Sequence, residues 1–467
     1  MRKINLKLFT LLMINLVVSP KSFSQSITAG GYYSHTLCND GSRMSWGYNL
    51  DGELGDGTFS NRAVPVQINS IIGITDISGG LGYHSLALRN DGIVFSWGAN
   101  FNGELGNGIS GPGITSNIPV QVSTLTNVIA VSAGNNHSVA LKSDGTVWTW
   151  GTNTEGELGD GTNSNSNIPI QISSLTNIIA IAAGGFHTLA LKSDSTVWAW
   201  GFNFNGALGN GTNIDSNIPV QVLSASSVIS VKAGRYHSMA LKADGTVLTW
   251  GQNGWGELGD GTFVNSPTPI QVPSLSNIKK ISTAGLHCLA LKNDSTVMAW
   301  GLNAYGELGN GSTSSSGVPV PVNALTRVIE ISGGGWHSLA KKDDGTIWAW
   351  GYNFNYQLGI ADTINRDTPI QVNGLCSTSN ISEYQNTVSA LIFPNPITHF
   401  ATIKFDSFIN NATITISNVL GENIKTFNDI CGDSFDFQRD NLSQGVYFIR
   451  VTEREKLIST NKIIVSK

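Results

Sequence analysis

Seven histidines, His35, His84, His137, His187, His237, His287 and His337, stand 49, 53, 50, 50, 50 and 50 residues apart. Imidazole is the commonest metal-ligating side chain and the commonest general base near neutral pH, so a regular set raises both chemistries. The spacing argues against both. Zinc needs three or four donors within about 2 Å of one ion, and equivalent positions placed one per repeat around an array do not converge. The expected role is a hydrogen bond from one repeat to the next. A second candidate is the recurring Glu-Leu-Gly-Asp/Asn-Gly wording, with Glu53, Glu104, Glu157, Glu257 and Glu307, broken at Ala207 and Gln357. It does not follow the calcium ladder of an EF-hand, so structural turns are expected. The chain has no Gly-x-Ser-x-Gly elbow, phosphate-cradling loop or His-Glu-x-x-His helix, and no catalytic residue, metal ligand or cofactor is assigned.

The elements that must carry these residues follow from the same period. Trp46, Trp97, Trp150, Trp200, Trp250, Trp300 and Trp350 are each followed by glycine, in step with the histidines. Self-similarity at about 50 residues marks units that cannot bury their apolar faces alone. In the third unit, strands are expected at Val128 to Ala133, His137 to Lys142, Thr146 to Gly151, and around Pro169 to Ile172. Asp144-Gly145 supplies the hairpin corner, repeated at Asp40, Asp91, Asp244 and Asp344 and changed to Asp-Ser at Asp194 and Asp294. Val139 and Leu141 face one way and Ala140 the other, so the sheet must be covered on both faces. A proline (Pro65, Pro119, Pro169, Pro219, Pro269, Pro319, Pro369) opens each fourth strand, as suits an edge. Leu54, Leu105, Leu158, Leu208, Leu258, Leu308 and Leu358 are expected to anchor the loop after each Trp-Gly. The fold class is all-β: a seven-bladed β-propeller over 26–375, then a linker at 376–390 and a small β-sandwich at 391–467. An open solenoid would need polar capping repeats, and none flank the array.

Identical wording is scaffold, so recognition must lie where the copies differ. Just before each histidine, or one residue earlier, stand Tyr33, Tyr83, Asn135, Asn136, Phe186, Arg235, Tyr236 and Trp336. Aromatic and arginine side chains dominate binding hot spots because they bury much area with few rotors to freeze. Tyr33, Tyr83, Asn136, Phe186, Arg235, Tyr236 and Trp336 are therefore the candidate partner-binding set. A second variable set follows Trp-Gly: Tyr48, Phe101, Phe202, Phe204, Trp255, Tyr305, Tyr352, Phe354 and Tyr356. For any one of these, ordinary packing between blades is the competing account.

The repeated Gly-x-x-His-Ser-x-Ala-Leu, Asp-Gly, Trp-Gly-x-Asn and Leu-Gly wording resembles the regulator of chromosome condensation repeat family from about Ser26 to Leu375. The resemblance implies the same seven-bladed propeller. Eukaryotic nuclear members exchange nucleotide on a small GTPase through acidic residues just before the histidine. Here those positions read Ser34, Tyr83, Asn136, Phe186, Tyr236, Leu286 and Trp336, so exchange is not expected. Bacterial relatives, including a secreted β-lactamase inhibitor, grip protein partners with aromatic loops on this face, and the present chain follows that pattern.

The ends concern export. Arg2, Lys3 and Lys7 precede an apolar run from Leu8 to Val18, with Ser22 and Ser24 at cleavage spacing, so residues 1–24 read as a signal peptide. No further segment reaches the roughly 20 apolar residues of a membrane span. Its removal takes four positive charges and moves the net charge from −5 to −9, which disfavours nucleic acid as a partner. Pro394-Asn395-Pro396, Asn418-Val419-Leu420-Gly421, Leu442-Ser443-Gln444-Gly445-Val446-Tyr447 and a final strand ending in Lys467 resemble the C-terminal sorting domain of the Bacteroidetes type IX secretion pathway. That resemblance implies delivery to the outer surface or medium and contact with the secretion machinery. Cys38 and Cys376 flank the array, so ring closure could bring them near each other, while small buried thiols are the favoured alternative. The reading is an exported, non-enzymatic propeller that presents an aromatic rim to a protein or glycan. Its rivals are a structural surface component and an enzyme at the channel mouth. The enzyme requires titratable groups converging from unlike positions, which the sequence does not show.

Overall fold

The computed structural model describes residues 27–38, 42–375, 390–418, 422–440, 442–453 and 456–466. The expected signal peptide and most of the expected linker lie outside them. The chain divides into two compact units, one ending at Cys376 and one beginning at Ser377. The first is seven four-stranded antiparallel sheets, each of four consecutive strands. In the third they are Val128–Ala133, His137–Lys142, Val147–Gly151 and Ser166–Gln171. Its hairpin turns at Asp144-Gly145, where Gly145 has φ of +78°. Where the wording changes to Asp-Ser, Ser195 and Ser295 adopt φ of 67° and 66°. The turn survives at the small steric cost of a Cβ in the left-handed region.

Proline does not open the fourth strand. Pro169 lies inside Ser166–Gln171, between the paired residues Ser166 and Ile170, where the register against the third strand shifts. A residue without an N–H costs no ladder bond at such a shift.

The ring closes with the bonds that join its other blades. The Trp150 indole donates to the Glu104 carbonyl of the preceding blade at 2.8 Å, and Trp46 of the first blade donates to Gln357 of the last at 2.9 Å. All seven of these tryptophans, and the seven loop leucines, are buried. The glycine of each Leu-Gly pair lets the loop approach: a Cβ on Gly159 would lie 2.8 Å from the Trp200 ring, and its φ is +68°. These closing contacts exclude an open solenoid.

The C-terminal unit is one five-stranded sheet. Its longest strand, Phe400–Asn418, carries several register shifts against Asn423–Gln438. Both halves of that long strand supply one core, with Ile403, Ile414 and Ile449 fully buried. Cys38 is disulfide-bonded, and Cys288 and Cys431 are free thiols. The favoured expectation of small buried thiols therefore holds for Cys288 but fails for Cys38, which is bonded, and for Cys431, which is exposed, while Cys376 lies outside the described residues.

Candidate functional site

The histidines form relays between blades. Ser138 Oγ donates to the Glu104 carbonyl at 2.9 Å, the same oxygen that accepts from Trp150. Having spent its proton there, Ser138 must accept from His84 Nε2, 2.9 Å away, which fixes the neutral Nε2–H tautomer. The pattern repeats as His137 to Thr188, His187 to Ser238, His287 to Ser338 and His337 to Ser34. At one junction Cys288 replaces the hydroxyl, and His237 reaches Thr283 as well. Burial drives all seven imidazoles down to a pKa of about 3 to 4.

The loop carboxylates are equally built in. Glu157 Oε2 accepts the Glu155 N–H at 2.9 Å, and the side chain of Asn153 holds Leu158 N, Asp160, Thr162 and Ser164. Burial pushes Glu53 up to about 8 and Glu257 and Glu307 up to about 7. In each of the three, Oε1 has no partner. Gln357 stands in the same position in the last blade and accepts the Asn355 N–H at 3.0 Å through Oε1, as a protonated glutamate would. Among the described residues no group of three or more His, Cys, Asp or Glu is arranged to hold a metal ion.

The first blade is shifted by two residues against the expected alignment. Tyr33 pairs with Gly47 and Ser34 with Trp46, as His137 pairs with Gly151 and Ser138 with Trp150. Tyr33 therefore occupies the histidine slot. It is fully buried, and its hydroxyl donates to the His84 carbonyl at 2.5 Å. Tyr33 is withdrawn from the rim, and Tyr32 takes its place. His35, one pleat further along, still reaches Ser85 at 2.9 Å. The signal for this shift was present: histidine precedes tryptophan by 13 residues in six units and by 11 in the first.

Tyr83, Asn136, Phe186, Arg235, Tyr236 and Trp336 are half-buried and stand at one end of the ring, one residue from the buried relay or, for Arg235, two. Their aromatic members form two patches. Trp336, Tyr305, Tyr352, Tyr32 and Tyr83 make a chain of ring contacts with centroids 4.7 to 6.4 Å apart. Phe186 stacks on Tyr236 at 5.2 Å, with Phe202 5.6 Å from Tyr236. Arg235 lies over the Tyr236 ring at 5.5 Å. Tyr32, Tyr83, Asn135, Arg235, Leu286 and Trp336, from six blades, line one cavity of about 100 Å³ at the mouth of the central channel. In the second set, Phe204 and Phe354 are about 70% exposed, too open to serve as packing between blades.

Behind the mouth, the inner strands enclose a channel cavity of about 260 Å³. A second belt lines it: Ser78 Oγ accepts the Ala133 N–H at 3.0 Å, Ser132 the Ala183 N–H at 2.9 Å, and Thr28, Ser282 and Ser332 act alike. Ala182 and Lys232 interrupt it. Asp76, Lys232 and Glu330 all line this cavity. Titratable groups from unlike positions thus do converge, contrary to the sequence reading, because ring closure brings together strands more than 90 residues apart.

In the C-terminal unit, Asn395 Oδ1 accepts the Ile464 N–H at 2.9 Å, Gly445 pairs with Val465, and the Tyr447 hydroxyl donates to Ser443 O at 2.9 Å. Pro394 and Pro396 flank that asparagine, while Gly421 and Lys467 lie outside the described residues.

Comparison with known proteins agrees with this geometry. An RCC1-like domain matches residues 107–392, and regulator of chromosome condensation (RCC1) repeats match 40–88 and 74–104. A secretion system C-terminal sorting domain matches 391–466, so the chain carries an export tail for the cell surface or the medium. Human probable E3 ubiquitin-protein ligase HERC6 is 38% identical over 138 residues, covering 28% of this chain and 13% of that protein. The Arabidopsis thaliana mitochondrial RCC1 domain-containing protein RUG3 is 33% identical over 138 residues, 29% of this chain and 30% of that one. This chain thus spans less than a third of either relative. Yeast RCC1 (Prp20), solved with Kap60, superposes with a TM-score of 0.64 at 22% identity over 79% of this chain and 87% of that one. Human WBSCR16 does so with 0.63 at 23% over 71% and 93%. With the domain match extending over more than half its length and the interblade relays running through all seven blades, this chain belongs to the RCC1-like domain family.

Proposed function

We propose that this chain is an exported, non-catalytic recognition propeller whose mouth face grips a protein or glycan outside the cell, the sorting domain having delivered it there through the type IX machinery. One observation carries the reading: the repeated histidines, their hydroxyl partners and the tryptophans are consumed in joining blades, while the unrepeated aromatic residues gather on one face around Arg235. Two aromatic patches on either side of a cationic mouth offer rigid apolar area with little rotor entropy to lose on binding. None of the residues before the relay slot, Tyr32 now included, is acidic, so nucleotide exchange is not part of the proposal.

The test compares the full chain with a variant carrying Tyr83→Ala, Phe186→Ala, Tyr236→Ala and Trp336→Ala. Both are probed on a glycan array and by pull-down from the organism's surroundings. Retention of a saturable partner by the parent and its loss from the variant, with an almost unchanged melting temperature, is the expected result. Equal capture by both proteins rejects the rim as the site. The charges converging in the channel favour a second reading, a site on the axis itself.

A further inference from the structure

Lys232, Asp76 and Glu330 are departures from the repeat. In the third blade the residue equivalent to Lys232 is Ser132 and that equivalent to Asp76 is Ala130, as the strand pairings show. Lys232 breaks the hydroxyl belt, leaving the Thr283 N–H without the side-chain acceptor that Ala133 finds in Ser78. A substitution that loses a scaffold bond and places a cation on the axis has no evident structural gain. Lys232 is exposed only toward the channel, since protein surrounds it, and desolvation lowers its pKa against the pull of Asp76 and Glu330. Desolvation likewise pushes Asp76 up to about 6 despite Lys232. Yet no ion pair of 4.0 Å or less joins Lys232 to either carboxylate. Lys280 and Lys341 also act on Glu330, which leaves Asp76 as the less compensated acid.

We propose that the channel binds a small zwitterion, a free α-amino acid being the simplest member of the class, with its carboxylate on Lys232 and its ammonium on Asp76. Opposite charges held apart across a cavity match a molecule carrying both, and the belt hydroxyls are already committed between blades. The space suffices: a cavity of about 150 Å³ admits benzene, and this one is about 260 Å³. Leu81, present only in the longer loop of the second blade, lines both the mouth cavity and the channel.

Isothermal titration of the full chain with each of the free proteinogenic amino acids tests this. At least one should give saturable heat, and Lys232→Ser and Asp76→Ala should each weaken it tenfold or more. Both replacements are residues that other blades carry in the same positions, so folding is preserved. The variant lacking the four rim aromatics should bind the amino acid as the parent does. No heat with any amino acid, or unchanged affinity in both channel variants, overturns the proposal. So does loss of binding in the rim variant alone, which would move the ligand to the mouth. The rim reading stands or falls separately, on partner capture by the Lys232→Ser protein.

Discussion

His137 and Asn136 are neighbours in sequence and opposites in role. His137 is buried, repeated in every later blade and bonded to the next one; Asn136 is half-buried, and its counterparts are tyrosine, phenylalanine, leucine and tryptophan. The same one-residue step separates Tyr33 from Tyr32. Strand alternation turns successive side chains in opposite directions, so a single step divides what holds the blades together from what faces outward. The propeller can vary its rim without touching its relays.

The belt should respond to pH far more than the rim. The relay histidines have folded pKa values below the unfolded 6.5, so their stabilisation is complete above pH 6.5 and is lost as pH falls toward 3 to 4. Glu53, Glu257 and Glu307 have raised values, so theirs is complete below pH 4.5 and is lost as pH rises through 7 to 8. Seven imidazoles outnumber three carboxyls on the acid side. Calorimetry across pH should find maximum stability near neutrality, a steep acid limb ending in unfolding, and a shallow alkaline limb. Glu53→Gln should flatten the alkaline limb. An acid limb no steeper than the alkaline one would mean that the imidazoles accept protons within the folded ring.

Next in size is the indole belt. Trp200→Ala removes a fully buried ring and its bond to the Glu157 carbonyl, and should cost about 3–5 kcal/mol in denaturant unfolding. Ala182→Ser goes the other way: it offers the Ala233 N–H the acceptor that Ser132 gives Ala183, and should add about 1 kcal/mol. No gain would show that the inner strands stand too far apart there. Smallest of all should be Tyr83→Ala, a half-buried rim residue, within about 1 kcal/mol of the parent. A loss as large as that from Trp200→Ala would erase the distinction between belt and rim.

Much of this was legible in the residues. The blade count, the antiparallel hairpins, the relay role of the histidines and the anchoring loop leucines follow from local periodicity and turn chemistry, while the sorting wording was legible through its resemblance to a known family. The first blade was misaligned because Tyr32-Tyr33-Ser34-His35 contains a histidine that attracts the eye two residues past the true slot. The proline was misplaced because a register shift, invisible in sequence, lets it sit inside a strand.

What the chain determined unaided is whatever repeats, since each copy encodes the same pairing and the same interblade bonds. What only closure of the ring decided is whatever occurs once. Asp76, Lys232 and Glu330 share a cavity, and Trp336 shares a patch with Tyr32, because the last blade bonds to the first. Proximity of that kind depends on the angle through which seven sheets turn about an axis, and no single repeat specifies that angle.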